Sequence, residues 1–258
     1  MRKRFGLALG AGGAKGVAHI GALQALSDNG ITPDVITGCS AGSVIAACYA
    51  HGMSPKKIFT ECRKLNKSDF ADFNLNPLKS KSILKSVKFK NLLERYLKDV
   101  LIEQLDIPFA CIAADLNTGR LHEFTAGNVV TALRASCAIP VIFAPVETDG
   151  KLLVDGGLIS RTPVRAAKNL GAEVIVAVDV NNQANYSLPV NNIFDLAIRS
   201  IDFMEHRTKS CGTARADITV RPDLKDVDQL AVEKQEYIYK QGYKAIIDKI
   251  DRIKSLVS

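Results

Sequence analysis

Apolar and polar positions divide the chain into short apolar runs and longer amphipathic ones. Phe5 to Leu9 is an apolar run with the length of a buried strand. After a glycine loop at Gly10 to Gly16, Val17, Ile20, Leu23 and Leu26 recur at helical spacing, and Asn29-Gly30 supplies a stop. Pro33 to Thr37 reads as a second strand and Ala41 to His51 as a second helix. This strand-loop-helix-strand-turn-helix order predicts a mainly parallel sheet with helices on its faces. Ser54-Pro55 opens a helix over Lys56 to Asn66. Lys67 to Pro77 is polar and reads as a loop, with a lid as one of its uses. Ser82 to Val100 is amphipathic and predicts a helical region.

Further on, Phe109 to Ala114 and Leu121 to Phe124 flank the turn Asn117-Thr118-Gly119. Asn128 to Ser136 is helical, and Ala138 to Pro145 is a Pro-punctuated loop. Val146 to Val154 predicts a hairpin closed by Asp149-Gly150. Val164 to Leu170 is a helix, and Val174 to Val178 a central strand bare of charge. A short strand near Ile218 to Arg221 separates helices over Ile193 to Cys211 and Val232 to Val257. No linker divides the chain. Residues 1–258 are therefore expected as one domain, with the chemistry in about 4–180 and helices from 193–258 packed on it.

Composition changes little in this picture. With 258 residues, 47% apolar and 24% charged, the chain is ordinary for a globular protein. No internal repeat or low-complexity tract occurs, and no stretch approaches the ~20 apolar residues that span a bilayer. Arg2-Lys3-Arg4 before an apolar run resembles the start of a secretory signal, but that run dissolves into glycine at Gly10. The expectation is a cytoplasmic protein without signal peptide or transmembrane helix, peripheral to the membrane in one reading. Six cysteines without a C-x-x-C pair predict buried free thiols in a reducing compartment. None of the four histidines has a metal-ligand partner at sensible spacing, so no metal and no cofactor are expected.

Charge does add something. The net charge is +7, and Lys56 to Lys90 holds ten Lys or Arg against three Asp or Glu. A solvated basic surface is one reading. Attraction to anionic lipid, worth about 1 kcal/mol per basic residue near a charged leaflet, is another. Nucleic acid is not expected as a partner, because no aromatic-interleaved basic motif is present.

Three stretches carry the candidate chemistry. Gly38, Ser40 and Gly42 have the G-x-S-x-G spacing of a nucleophile elbow, between a β-branched run and a helix-forming one. Such a turn needs small flanking residues, because strand and helix pass close together. Gly10-Ala11-Gly12-Gly13-Ala14-Lys15-Gly16 fails as a dinucleotide site: the G-x-G-x-x-G frame lacks its first glycine, and no acidic residue follows for a ribose. The Walker pattern fails too, for want of Gly-Lys-Ser/Thr. The surviving use is an oxyanion hole of backbone amides at a helix start. Asp155-Gly156-Gly157 follows an apolar strand, where burial would raise a carboxyl from its usual ~3.9 toward a useful base.

In this order the three stretches resemble the patatin-like phospholipases. The resemblance rests on Gly10 to Leu23, on Gly38-Cys-Ser-Ala-Gly42, on Asp155-Gly-Gly157 and on the Ser/Pro loop Ala135 to Pro145; it covers about Arg4 to Val178. It implies a three-layer α/β/α sandwich with a mainly parallel sheet and a Ser-Asp dyad without a catalytic histidine. Ser40 would be the nucleophile and Asp155 the general base. Amides from Ala11, Gly12, Gly13, Ala14, Lys15 and Gly16 would line the oxyanion hole, with Gly38, Gly42, Gly156 and Gly157 as motif glycines. Ala11 replaces a glycine common in that loop, which requires a negative φ. Lys15 stands where the family carries Arg or Lys, either as a surface residue or as a positive anchor.

The expected activity is hydrolysis of fatty-acyl esters in phospholipids or lysophospholipids. The alternatives are a carboxylesterase or thioesterase of the same fold, and a catalytically idle anion-binding module. An α/β-hydrolase triad of Ser40, Asp155 and His206 also has the right chain order, but the serine follows only two strands and His206 lies on a charged helical face. His19 reads as a packed helix histidine, His51 as a helix end and His122 as a hairpin residue. Asp115 and Asp179 also follow apolar strands, and Asp179 is the reserve base.

Overall fold

The computed structural model describes residues 2–70, 72–74, 81–181, 190, 193–207, 213–227 and 232–258. Its first elements are β1 (Phe5–Leu9), α1 (Val17–Asp28), β2 (Val35–Gly38), α2 (Ala41–Ala50), α3 (Pro55–Cys62), β3 (Ser82–Leu84) and α4 (Val87–Leu97). Then come β4 (Phe109–Asp115), β5 (Arg120–Phe124), α5 (Val129–Ser136), β6 (Val141–Phe143), β7 (Val146–Thr148) and β8 (Lys151–Asp155). The chain finishes with α6 (Val164–Asn169), β9 (Val174–Val178), α7 (Ile193–Arg207), β10 (Ile218–Val220), α8 (Gln235–Ile247) and α9 (Ile250–Val257).

The main sheet runs β10-β9-β1-β2-β4-β8-β7, with β5 also on β4. From β10 to β4 every pairing is parallel, and β5, β7 and β8 add antiparallel ones. Strand alternation sorts side chains by size between the two faces. Phe5, Leu7 and Leu9 share a large core with α1, α2, α8 and α9, which extends to Ile253 and Val257. On the other face Ala8, Val35 and Ala177 pack against α6 through Val164 and Ala167. There the approach is so close that a Cβ on Gly6 would lie 2.6 Å from the Ala172 Cβ. Helices thus flank both faces of a central sheet, as the element order predicts.

One pairing positions the chemistry. β5 occupies one edge of β4, so β2 and β8 must share the other. β2 runs parallel to β4 and ends with Gly38 opposite Cys111. β8 runs antiparallel and ends with Asp155 opposite Ala113. The two strands therefore meet end to end, and whatever follows Gly38 faces whatever ends β8.

Two expectations need correction. Ser82 to Val100 is not helical throughout: Ser82–Leu84 is a strand parallel to β6, Ser86 adopts a left-handed φ of 63°, and helix begins only at Val87. The Pro-punctuated loop likewise contains β6. Each strand exists only through its distant partner, which local periodicity does not register. Phe73 bridges to Leu84. The rest of the suggested lid falls partly on residues 71 and 75–77, outside the described residues, as does 208–211 at the end of the predicted 193–211 helix.

Candidate active site

Ser40 occupies the sharp turn between β2 and α2, with φ 51° and ψ −127°. A non-glycine residue in that region is strained and persists only where its surroundings over-determine it. They do so here. The Cys39 N–H donates to the Leu9 carbonyl at 3.0 Å, and the Ser40 N–H donates to Ser136 Oγ at 3.0 Å. Ser43 Oγ donates to the Ser40 carbonyl at 2.6 Å. A Cβ on Gly42 would sit 2.6 Å from the Gly10 carbonyl oxygen, and one on Gly38 would strike the Ser43 backbone. Only glycine lets the start of α2 lie against the end of β1.

Asp155 ends β8 beside this turn and is buried. Its Oδ1 accepts the Gly157 N–H at 2.8 Å, with the Cys39 thiol 3.8 Å away. Burial raises its carboxyl to about 6, against the pull of hydrogen bonds from the Ser40 hydroxyl, Gly157 and Cys39 and of the Arg161 charge. The turn after it also requires glycine, because a Cβ on Gly156 would lie 2.5 Å from the Ile112 carbonyl oxygen. Cys137 borders both Ser40 and Asp155, and burial pushes its thiol far above the ordinary range, so it remains protonated.

The glycine loop crosses the same end of the sheet. Its Gly10 and Ala11 amides donate to Val178 and Arg161 carbonyls at 3.0 and 2.8 Å, and Lys15 donates to Gly12 at 3.1 Å. Gly12, Gly13 and Ala14 are the amides at the opening of a short 3-10 turn (Gly13–Gly16), where no intrahelical acceptor exists. Gly16 holds that turn against the elbow: a Cβ there would be 2.6 Å from Ala41 Cβ. Ala11 is not among the positive-φ residues, which meets its requirement. Lys15 is buried, and its Nζ donates to Asn181 Oδ1 at 3.3 Å, so the surface reading does not hold.

The remaining candidates lie elsewhere. His19 is fully buried, and burial lowers it to about 4. Its Nε2 lies 2.7 Å from the Gly10 carbonyl, which can only accept, so the neutral ring donates there. It braces the loop from behind. Asp179 pairs with Arg221 at 3.6 Å. Asp115 accepts from Thr118 Oγ1 at 2.8 Å within its hairpin, which holds its carboxyl below the usual range. His122 stacks edge-on against Phe124. His51 caps the end of α2, and the side chain of His206 lies outside the described residues. Cys39, Cys48, Cys62, Cys111 and Cys137 are free thiols. Among the described residues no three His, Cys, Asp or Glu side chains group to hold a metal ion, and no helix is long and apolar enough to cross a membrane.

Sequence reasoning gave no role to Ser136, Cys137 or Arg161. Ser136 and Cys137 lie in the Ser/Pro loop that carries part of the resemblance, which is a usable signal. Arg161 had none beyond its position six residues after Asp155.

Comparison with known proteins gives the family and the fold. A family profile described as patatin-like phospholipase matches residues 7–168. An uncharacterised NTE family protein of Mycobacterium tuberculosis is 37% identical over 179 residues, which is 69% of this chain and 49% of the relative. A protein of Coccidioides immitis named lysophospholipase NTE1 is 28% identical over 98% of this chain but only 18% of its own length. The chain thus spans about half the length of the mycobacterial relative. Among solved structures, VipD from Legionella pneumophila superposes with a TM-score of 0.58 at 16% identity, covering 98% of this chain and 67% of that one, a likeness of fold.

Proposed function

Because this chain belongs to the patatin-like phospholipase family, we propose that it is a serine hydrolase that cleaves fatty-acyl esters of phospholipids or lysophospholipids. Ser40 Oγ attacks the acyl carbonyl as its proton passes to Asp155. The tetrahedral oxyanion accepts hydrogen bonds from amides of the glycine loop, foremost Gly12, Gly13 and Ala14, each good donor being worth about 3 kcal/mol. Collapse breaks the ester C–O bond, and Asp155 returns the proton to the departing alcohol. Water then attacks acyl-Ser40, losing its proton to Asp155, and the fatty acid leaves as Ser40 regains its hydrogen. No metal or cofactor enters this sequence. The substrate-bearing partner is a lipid surface.

One observation carries the reading. A buried carboxyl raised to about 6 by burial lies beside a serine held in a strained turn, whose hydroxyl draws that value down. At neutral pH such a carboxylate is ionised yet basic enough to accept a proton. The test is release of fatty acid from a panel of phospholipids, lysophospholipids and short-chain esters, together with fluorophosphonate labelling. Ser40→Ala and Asp155→Asn should each lower turnover by roughly 10³-fold or more with the fold intact, and label should appear on Ser40. Full activity in either variant, or a folded protein that takes no label, refutes the assignment.

A further inference from the structure

Ten large apolar side chains are exposed among the described residues, and six of them fall in two adjoining places. Phe73, Val87 and Val141 surround the small β3/β6 sheet. Ile193, Leu196 and Phe203 lie on α7 and are 60%, 55% and 51% exposed. At 100° per residue those three fall within about 80° of one another, so they form one stripe. Asp195 and Arg199 of the same helix are half-buried. A surface helix normally buries its apolar stripe; these three apolar side chains of α7 are exposed instead. The helix packs against β6 and against the turn that follows Asp155, so both patches border the site. Val141 adds a second anomaly, because a β-branched residue is held at φ 71° with its side chain outward.

Charge distinguishes this face from the rest of the basic stretch. On α3 and just after it, Lys57 and Lys64 pair with Glu61 at 2.8 and 2.9 Å, and Arg63 pairs with Glu236 at 3.1 Å. Between 81 and 90 there are four lysines and no acidic residue. Lys81 reaches Glu147 at 3.5 Å and Lys90 reaches Glu94 at 3.4 Å, both at the surface, while Lys85 and Lys88 have no carboxylate partner among the described residues.

We propose that the β3/β6 sheet, the start of α4 and the outer stripe of α7 form one docking face for an anionic lipid bilayer. Leu196, Phe203, Val141 and Val87 enter the interface, and Lys81, Lys85 and Lys88 meet the headgroups. Apolar insertion beside cations is the combination that holds peripheral proteins on anionic leaflets. A bilayer is chosen over a protein partner on the strength of the lipid-hydrolase reading, since α7 packs directly against the turn that follows Asp155.

The test reads binding apart from turnover. The full chain carrying Ser40→Ala is mixed with vesicles of phosphatidylcholine, with and without phosphatidylglycerol, and sedimented. The expected result is partition onto both compositions, strongest on the anionic vesicles and there weakening with salt. Adding Leu196→Ser with Phe203→Ser should lower partition at least about tenfold on both compositions. Adding Lys85→Gln with Lys88→Gln should lower it on anionic vesicles alone. In a chain that keeps Ser40, neither pair should change hydrolysis of a soluble short-chain ester. Vesicle binding through these residues without any ester turnover would uphold the face and refute the hydrolase reading. Turnover without vesicle binding, binding unchanged by Leu196→Ser with Phe203→Ser, or a dimer in solution that those substitutions dissolve while vesicles are ignored, would each overturn the face.

Discussion

Asp155 is under two opposed demands. As the proposed base it must be charged to accept a proton, and it is buried where charge is costly. With its carboxyl at about 6, kcat/KM should be half-maximal near that pH, flat above it, and should fall tenfold per unit below. A pH–rate profile on a soluble ester checks this, and a profile flat down to pH 4 would remove Asp155 as the base. The same shift has a consequence for folding. Its folded-state value lies above the ~3.9 of an unfolded carboxyl, so the stability it contributes is complete below that value and lost as pH rises through about 6. The loss amounts to about 3 kcal/mol at pH 8. Asp155→Asn should therefore raise the thermal midpoint at pH 8 and bring no gain at pH 4. A catalytic carboxylate and a stabilising one would respond in opposite directions, which makes paired melts at the two values decisive.

At the scale of elements, the site is a junction between strand ends, held by backbone contacts that side chains would block. Gly42→Ala places a methyl against the Leu9 and Gly10 carbonyls and should cost about 1–3 kcal/mol, the range for overpacking, measured by urea unfolding. Ser136→Ala is a milder probe. It removes the acceptor of the Ser40 N–H from the end of α5. Turnover should fall by about tenfold with little change in KM, because the elbow loosens while the substrate cleft remains. How much of this was legible in the sequence follows from which forces are local. Gly38, Ser40 and Gly42 announce a close strand-to-helix turn because the requirement for small residues is written at fixed offsets. Asp155-Gly156-Gly157 is readable for the same reason. The head-on meeting of β2 and β8 is not, since it depends on both using one edge of β4. Nor are β3 and β6, three-residue strands made by pairing across more than fifty residues of chain. Asn181 accepts hydrogen bonds from both Lys15 and Arg161, a convergence with no spacing that reveals it.

Across the whole molecule, α8 is connected to the candidate chemistry through α1. α8 crosses α1 at backbone contact: a Cβ on Gly242 would strike the Ala18 carbonyl, and one on Gly21 would strike the Tyr239 carbonyl. α1 in turn begins where the glycine loop ends, and its His19 holds the Gly10 carbonyl. A wedge at the crossing should therefore reach the site. Gly242→Ala must push α1 and α8 apart, which lowers stability and, by moving His19 and the loop, lowers kcat as well. Ile253→Ala supplies the contrast. Ile253 is fully buried on α9 in the same core, so its truncation should cost about 2–5 kcal/mol. It leaves the α1–α8 crossing in place, and kcat well below the melting range should be that of the unmodified chain. Measuring both variants at a temperature where each is fully folded separates the two effects. If Gly242→Ala keeps full kcat there, the crossing serves stability alone and the loop is positioned by the sheet ends without help from α8.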